Sequence, residues 1–491
     1  MNKPLRRVAI FCGLLVLALL VRTNWVQFVQ GDDLKNDPHN RRVAIERYST
    51  PRGNIVVAGG KSVTGSTVTD TGDFKYERTY KDGPMWAPVT GRASQAFGQT
   101  QLEKLYDGIL TGTDDSLFFS RTVDMFTGEK QKGGDVVTTL NPAAQKAAYA
   151  GLTKNPGTKG AVAAINPQTG AILALASAPS YDPSDIAGMG SKDGKEWTKL
   201  LKSKDQPMLN RALRQTYPPG STFKIVTASA GLENGLYDNV DEHTKSPVPF
   251  YLPDTNHQPL NNEGNIPCEN VSIREALRLS CNSVFGKMSA DLGNDKMRAE
   301  AEKFGFNNAE IDTPVWPAES VYPKDNRPQN AMDGIGQASN RATPLQMAMV
   351  AAAVANNGKL MQPHMVDQLV APNLNVIKQF SPKVMSTPLT PEHAAMLQDA
   401  MKTVVDKGTG TSAQIPGVDV GGKTGTAQNG ENNSKTPYAW FISYAKQGSG
   451  SPVAVAVVIE SSNTLRDDVA GGKLAAPIAK AVMEAVLDGK K

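Results

Sequence analysis

The chain has 491 residues, enough for two or three domains at ~150 each, and 20% charged with 40% hydrophobic residues is an ordinary globular composition. Lys plus Arg 52 against Asp plus Glu 48 leaves +4, too thin a surplus to line a nucleic-acid groove. Three cysteines (Cys12, Cys268, Cys281) and five scattered histidines form no CxxC pair and no HExxH, so neither a metal nor a cofactor is expected.

Lys3, Arg6 and Arg7 precede an apolar run over residues 8–21 (VAIFCGLLVLALLV), with Trp25 and Phe28 shortly after it. At 1.5 Å per residue that run falls short of a ~30 Å hydrocarbon core. No small-x-small cleavage site follows, however, and Trp25 to Phe28 can carry the helix on to aromatic anchors. The reading is an uncleaved signal anchor over residues 8–29, with residues 1–7 in the cytoplasm and the remainder outside; a cleaved secretory peptide is the alternative. Both put the body of the chain in an exported, oxidising compartment. There Cys268 and Cys281, 13 residues apart, can close a disulfide worth about 3 kcal/mol. Spacing alone does not set Cβ geometry, so two buried free thiols stay open as the other reading. Cys12, inside the run, is read as a small apolar residue.

Residues 30–137 are rich in Gly, Thr, Asp and Arg, with short β-like runs at 54–58 and 62–68 broken by GG and TG turns. This predicts a small α+β or β-rich domain. A second domain is expected over 138–491. Pro142 opens a helix, AAQKAAYAGL, and then GAVAAINP and AILALAS form a hairpin through Gln168, Thr169 and Gly170. Helical stretches follow at 225–232, 273–279, 345–356 and 391–405, strands at 440–445 and 453–460, and a last helix at 477–487. Strands at both ends of the region with helices between them predict an α/β arrangement in which one antiparallel sheet packs against helical layers.

Chemistry concentrates at three places. In Tyr217-Pro218-Pro219-Gly220-Ser221-Thr222-Phe223-Lys224 a Pro-Pro-Gly turn delivers a serine onto the start of an apolar helix. Positions i and i+3 share a helix face, so the Lys224 amine can serve the Ser221 hydroxyl as a base, and the helix N-terminus aims N–H groups at a developing oxyanion. The same pattern at Ser443 to Lys446 lies on a strand, WFISYAK, where i and i+3 face opposite sides. The second place, Ser280-Cys281-Asn282, read alone is a helix end with polar capping residues. The third, Gly421-Gly422-Lys423-Thr424-Gly425-Thr426-Ala427, offers a fixed cation, two hydroxyls and close backbone approach. It lacks the GxxxxGK[ST] spacing of a phosphate loop, and its plain alternative is a hairpin turn with a surface lysine.

Taken together the three are specific: Ser-x-x-Lys at 221, Ser-x-Asn at 280 and Lys-Thr-Gly at 423, in that order within one domain. The sequence resembles the penicillin-binding proteins over nearly its whole length, and within them the monofunctional class B D,D-transpeptidases of the actinobacterial PbpA type. Further marks of the likeness are Arg52-Gly53-Asn54-Ile55, residues 160–183, Gly334-Ile335-Gly336-Gln337 and Thr343-Pro344-Leu345-Gln346. The resemblance implies the transpeptidase fold, an antiparallel sheet covered by helices plus an all-helical subdomain, on an N-terminal pedestal or dimerisation-type domain.

It also implies roles. Ser221 would attack the penultimate D-Ala carbonyl of a peptidoglycan stem peptide and β-lactams would acylate the same oxygen. Lys224 would be the base, made neutral by burial and by the Lys423 cation, which itself would stay charged. Ser280 would relay a proton to the leaving amine, and Asn282 would bond Lys224 and the substrate amide. The Ser221 and Thr426 N–H groups would form the oxyanion hole, and Lys423, Thr424, Gly425 and Thr426 would hold the substrate carboxylate. Arg52 would brace the connection between domains. The expected setting is cell-wall synthesis in growth, cell shape and division, beside a membrane glycan polymerase of the SEDS type. A D,D-carboxypeptidase, a serine β-lactamase and a non-catalytic β-lactam sensor or scaffold are the rival functions. The β-lactamase lacks its Glu-x-x-x-Asn element here, and a sensor would need a larger cytoplasmic portion.

Overall fold

The computed structural model describes every residue except 1–2, 38–39, 70–71, 119–131, 265, 312, 314, 431–432 and 490–491. Two residues of the expected cytoplasmic tail and part of the expected N-terminal domain therefore lie outside the described residues.

The apolar run is longer as a helix than as a string of apolar letters. A single helix spans Lys3–Phe28, 26 residues that include an 18-residue stretch of mean hydropathy 2.1, with no buried residue. At 1.5 Å per residue it measures about 39 Å, long enough to cross a membrane.

A five-stranded antiparallel sheet forms the centre of the larger region, in the order Val420–Asn429, Lys435–Gln447, Gly450–Ser461, Lys159–Ile165, Ile172–Ala178. Alternate side chains point to opposite faces. Ala161, Ala163, Trp440, Ile442, Ala456 and Val458 pack with the helix Pro344–Ala355, all of whose residues are buried. Val162, Ala164, Phe441, Val455 and Val457 pack with Pro142–Thr153 and Ala476–Asp488. Both faces are covered, which is why these strands read as unbroken apolar runs. Asn141 caps Pro142–Thr153 by accepting from the Ala143 and Ala144 N–H groups, with Pro142 in the first turn where no donor is needed. To one side lies a helical cluster of Lys224–Glu233, Ile273–Leu279, Asn282–Leu292, Asn294–Lys303 and Arg327–Asp333.

The N-terminal part is built of short strands and helices, but its main sheet is not its own. Asp135–Thr138 pairs in parallel with Ile55–Val57 and antiparallel with Val366–Val370, so strands from both sequence regions share one ladder. A division between 137 and 138 runs through the Asp135–Thr138 strand. Arg52 is almost fully buried and bonds the Glu103 carboxylate and carbonyl and the Asp107 carboxylate, each at 2.6 Å. Arg78 takes the other Glu103 oxygen at 2.6 Å. Burial by itself would raise the Glu103 carboxyl, but the two guanidiniums outweigh it and hold the group below its usual range. The expectation that Arg52 ties two domains together is corrected: the side-chain partners of Arg52 belong to the N-terminal part, which it braces internally.

Candidate active site

Pro218, Pro219 and Gly220 bend the chain at the edge of the main sheet. Gly220 has φ +54, and a Cβ there would lie 2.9 Å from the Thr426 carbonyl oxygen, so conformation and space both demand glycine. The bend is pinned from the sheet side by the Trp440 indole, which donates to the Pro218 carbonyl at 2.9 Å. Ser221 therefore sits on a 3₁₀ turn, Gly220–Phe223, and the α-helix begins only at Lys224. The turn keeps serine and lysine one turn apart, as the spacing predicts. The Ser221 hydroxyl has no hydrogen-bond partner among the described residues and opens into a cleft of about 430 Å³ that Asn282, Gln337 and Thr426 also line.

Lys224 is fully buried. Its Nζ donates to the Ser280 carbonyl and to Asn282 Oδ1, each at 2.7 Å. A neutral amine has two N–H bonds and one lone pair, so these two acceptors use both hydrogens and leave the lone pair free to take a proton. Burial first, and the Lys423 cation second, push Lys224 well below its usual range. Ser280 ends the helix Ile273–Leu279 in the left-handed conformation, φ 65, which is costly for a residue with a side chain. Its carbonyl meets Lys224 while its Oγ accepts from Lys423 Nζ at 2.9 Å and lies 3.4 Å from Lys224 Nζ. One hydroxyl thus stands between the two amines.

The Lys-Thr-Gly segment is not a hairpin turn. It lies within the edge strand Val420–Asn429, with Lys423 fully buried. Burial pushes Lys423 down to about 7, where the resemblance implied a fixed cation. An arriving carboxylate would restore the charge. Thr424, Gly425 and Thr426 line a second cleft of about 440 Å³ that also opens on Ser221. The three predicted segments are therefore brought to one place, and so are the two cysteines. Cys268 and Cys281 are joined in a disulfide with Cα atoms 5.8 Å apart, which closes the open choice between bond and free thiols and tethers the turn between Ser280 and Asn282.

Sequence reading missed four contributors. Asn262 Oδ1 accepts from the Asn282 and Ser283 N–H groups at 2.7 and 3.0 Å, and the Asn261 carbonyl accepts from Asn282 Nδ2 at 3.0 Å. Thr409 and Thr424 share a hydroxyl hydrogen bond at 2.5 Å. Glu263 lines both clefts, and among their described lining residues its side chain is the only acidic one. Nothing in NNEG distinguishes it from a solvated turn. Its negative charge raises both lysines, so its removal should lower both. Lys224 then stays a base to lower pH and Lys423 loses its proton earlier. We expect Glu263→Gln to move the pH optimum of acylation downward, with a peak rate within about fivefold of wild type, the scale of one exposed charge. A rate profile against pH that coincides with wild type would remove Glu263 from the site's electrostatics.

The transpeptidase domain model of the penicillin binding proteins matches residues 160–484, and the model described as the penicillin binding protein A dimerisation domain matches 52–136. The chain is 39% identical over 495 residues to the peptidoglycan D,D-transpeptidase PbpA of Mycolicibacterium smegmatis, covering 99% of each. It is also 39% identical over 498 residues to PbpA of Mycobacterium tuberculosis, with full coverage of both. The fold is similar to the solved M. tuberculosis penicillin-binding protein A in its ceftriaxone acyl-enzyme, with TM-score 0.85 and 38% identity over 90% of this chain and all of that one. The imipenem acyl-enzyme gives TM-score 0.83 at the same coverage.

Proposed function

The chain belongs to the penicillin-binding transpeptidases and is a peptidoglycan D,D-transpeptidase, and from that premise we propose how its residues divide the reaction. Ser221 Oγ attacks the penultimate D-Ala carbonyl while Lys224 Nζ takes the hydroxyl proton. The tetrahedral oxyanion is received by the Ser221 and Thr426 N–H groups, where losing one donor costs about 3 kcal/mol in comparable sites. The C–N bond to the terminal D-Ala breaks, its nitrogen takes a proton relayed from Lys224 through Ser280, and a serine ester remains. The amine of a neighbouring stem then attacks the ester, the C–O bond breaks and Ser221 regains its proton. Asn282 holds Lys224 and the substrate amide, and Lys423, Thr424, Gly425 and Thr426 hold the terminal carboxylate. In a β-lactam the scissile amide is in a ring, so the leaving nitrogen stays attached and the acyl-enzyme persists.

The observation that carries this division is the Ser280 hydroxyl between two buried amines, 2.9 Å from Lys423 Nζ and 3.4 Å from Lys224 Nζ. We assign residues 30–137 to a pedestal and dimerisation-type domain and 138–491 to the transpeptidase domain. The helix Lys3–Phe28 would anchor the chain as a single span, residues 1–7 inside and the catalytic region outside the cell membrane, which the basic flank at Lys3, Arg6 and Arg7 supports. A membrane glycan polymerase of the SEDS type is the proposed partner, since cross-linking at the membrane face needs nascent strands delivered there.

The test is the time course of label from a fluorescent penicillin on the purified protein. Label stable over hours is the expected result. Loss within minutes would give deacylation by water the larger share and overturn the transpeptidase partition in favour of a hydrolase.

A further inference from the structure

The bend that carries Ser221 leans on a second segment, residues 333–342. The Gly220 N–H donates to the Gly336 carbonyl at 2.8 Å, and Tyr217 and Ala342 exchange two backbone hydrogen bonds at 2.9 and 2.8 Å. Both ends of the bend are thus fixed from behind. Gly336 has φ +76, and a Cβ there would lie 2.1 Å from the Gly220 carbonyl oxygen, so the two backbones touch with no room for a side chain.

Asp333 organises this backing segment. Its Oδ1 accepts from the Ser339 and Asn340 N–H groups at 3.1 and 3.0 Å. Its carbonyl accepts from the Gly336 N–H at 2.9 Å and from Asn340 Nδ2 at 3.0 Å. The side chain is fully buried, yet among the described residues neither its Oδ2 nor that of Asp325 has a donor, and the Asp325 carboxyl interacts with that of Asp333. Two buried carboxylate oxygens without a donor, on carboxyls that interact with each other, are a costly arrangement if both groups are ionised. A single proton between them makes one a donor and the other an acceptor.

Among the described residues, no side-chain donor to either Oδ2 is recorded. Tyr322 donates to Asn330 Oδ1, and burial holds its hydroxyl far above the usual range, so it stays neutral. Ser289, from the helix Asn282–Leu292, donates to the Asn330 carbonyl. Arg341 donates to the Ala338 and Asn340 carbonyls, and Lys324 is exposed. Burial, followed by Asp325, pushes the Asp333 carboxyl up to about 8. Resting on the reading of Ser221 as nucleophile, we propose that Asp333 is a positioning residue for acylation: a proton shared with Asp325 locks residues 334–342 against the back of the Ser221 turn.

Asp333→Asn keeps the Oδ1 acceptor and offers Asp325 an amide donor, whereas Asp333→Ala removes both. With fluorescent penicillin at pH 7, the alanine variant should acylate at least about thirtyfold more slowly, and the asparagine variant should recover to within about threefold of wild type. Thermal unfolding gives an independent readout. A carboxyl whose folded value lies above its ordinary 3.8 is stabilising as the protonated group, and that contribution is lost as pH rises towards about 8. The melting temperature of Asp333→Asn relative to wild type should therefore rise from pH 5 to pH 8. Infrared difference spectra at pH 7 should show a protonated carboxyl in wild type that both Asp333→Asn and Asp325→Asn lack. If Asp333→Ala does not fold, Asp325→Asn against Asp325→Ala makes the same comparison from the half-buried partner. A folded Asp333→Asn as slow as Asp333→Ala, a melting difference independent of pH, or a co-purifying cation that Asp333→Asn loses would each overturn the proposal. Failure of Ser221→Ala to lose label would instead overturn the nucleophile, so the two failures are distinguishable.

Discussion

Replacing Ser221 with alanine is expected to abolish covalent labelling by penicillin and to lower peptide turnover about a millionfold, the loss seen when a serine nucleophile acting with its base is removed. The expectation rests on geometry more than on motif. Ser221 is 8% exposed, its hydroxyl is unpartnered among the described residues, and it faces both clefts. The second serine in the same spacing, Ser443, is fully buried in the strand Lys435–Gln447, where no substrate reaches it. The substitution removes one oxygen from a turn whose conformation is set by Gly220, Trp440 and Gly336, so the variant should melt within a few degrees of wild type. Gel fluorescence checks the label and intact mass checks the adduct. A Ser221→Ala protein that still gains the mass of one penicillin places the nucleophile elsewhere.

Lys224→Arg should be nearly as severe, lowering the second-order rate of acylation by at least about four orders of magnitude. A guanidinium does not give up its proton near neutral pH, so it cannot accept one from Ser221. It would also bring five donors to a pocket whose acceptors are the Ser280 carbonyl and Asn282 Oδ1. Lys224→Met fills similar space without any charge and separates the two causes. Both variants should be inactive; the methionine variant should fold as wild type does. Acylation by either within tenfold of wild type would take the base role away from Lys224.

The difference between what could and could not be read from the letters follows from range. Ser221 and Lys224 are legible because three positions fix their separation whatever the rest of the chain does. Ser280 and Lys423 are legible only as members of an ordered set, because nothing local says that two residues 143 positions apart meet at one hydroxyl. Glu263, Asn262 and Thr409 are polar loop residues whose partners are set by packing, and their letters match any solvated turn. The lowering of Lys423 has no signature in the letters, because the burial of its side chain in an edge strand is a property of the fold. The strands at 440–445 and 453–460 were plain from composition, but with both faces buried the pattern could not say which side each residue occupies. Pairing of Val366–Val370 with Asp135–Thr138 was hidden for the same reason as the site: the partners are more than two hundred residues apart.

That last pairing has a practical consequence for anyone who wishes to isolate the catalytic half. Cutting the chain at residue 138 would strip the Val366–Val370 strand of one of its two neighbours and leave the ladder groups on that edge open to other molecules, an invitation to aggregate. It also means that tilting the N-terminal part pulls directly, through the shared ladder, on a strand of the catalytic part.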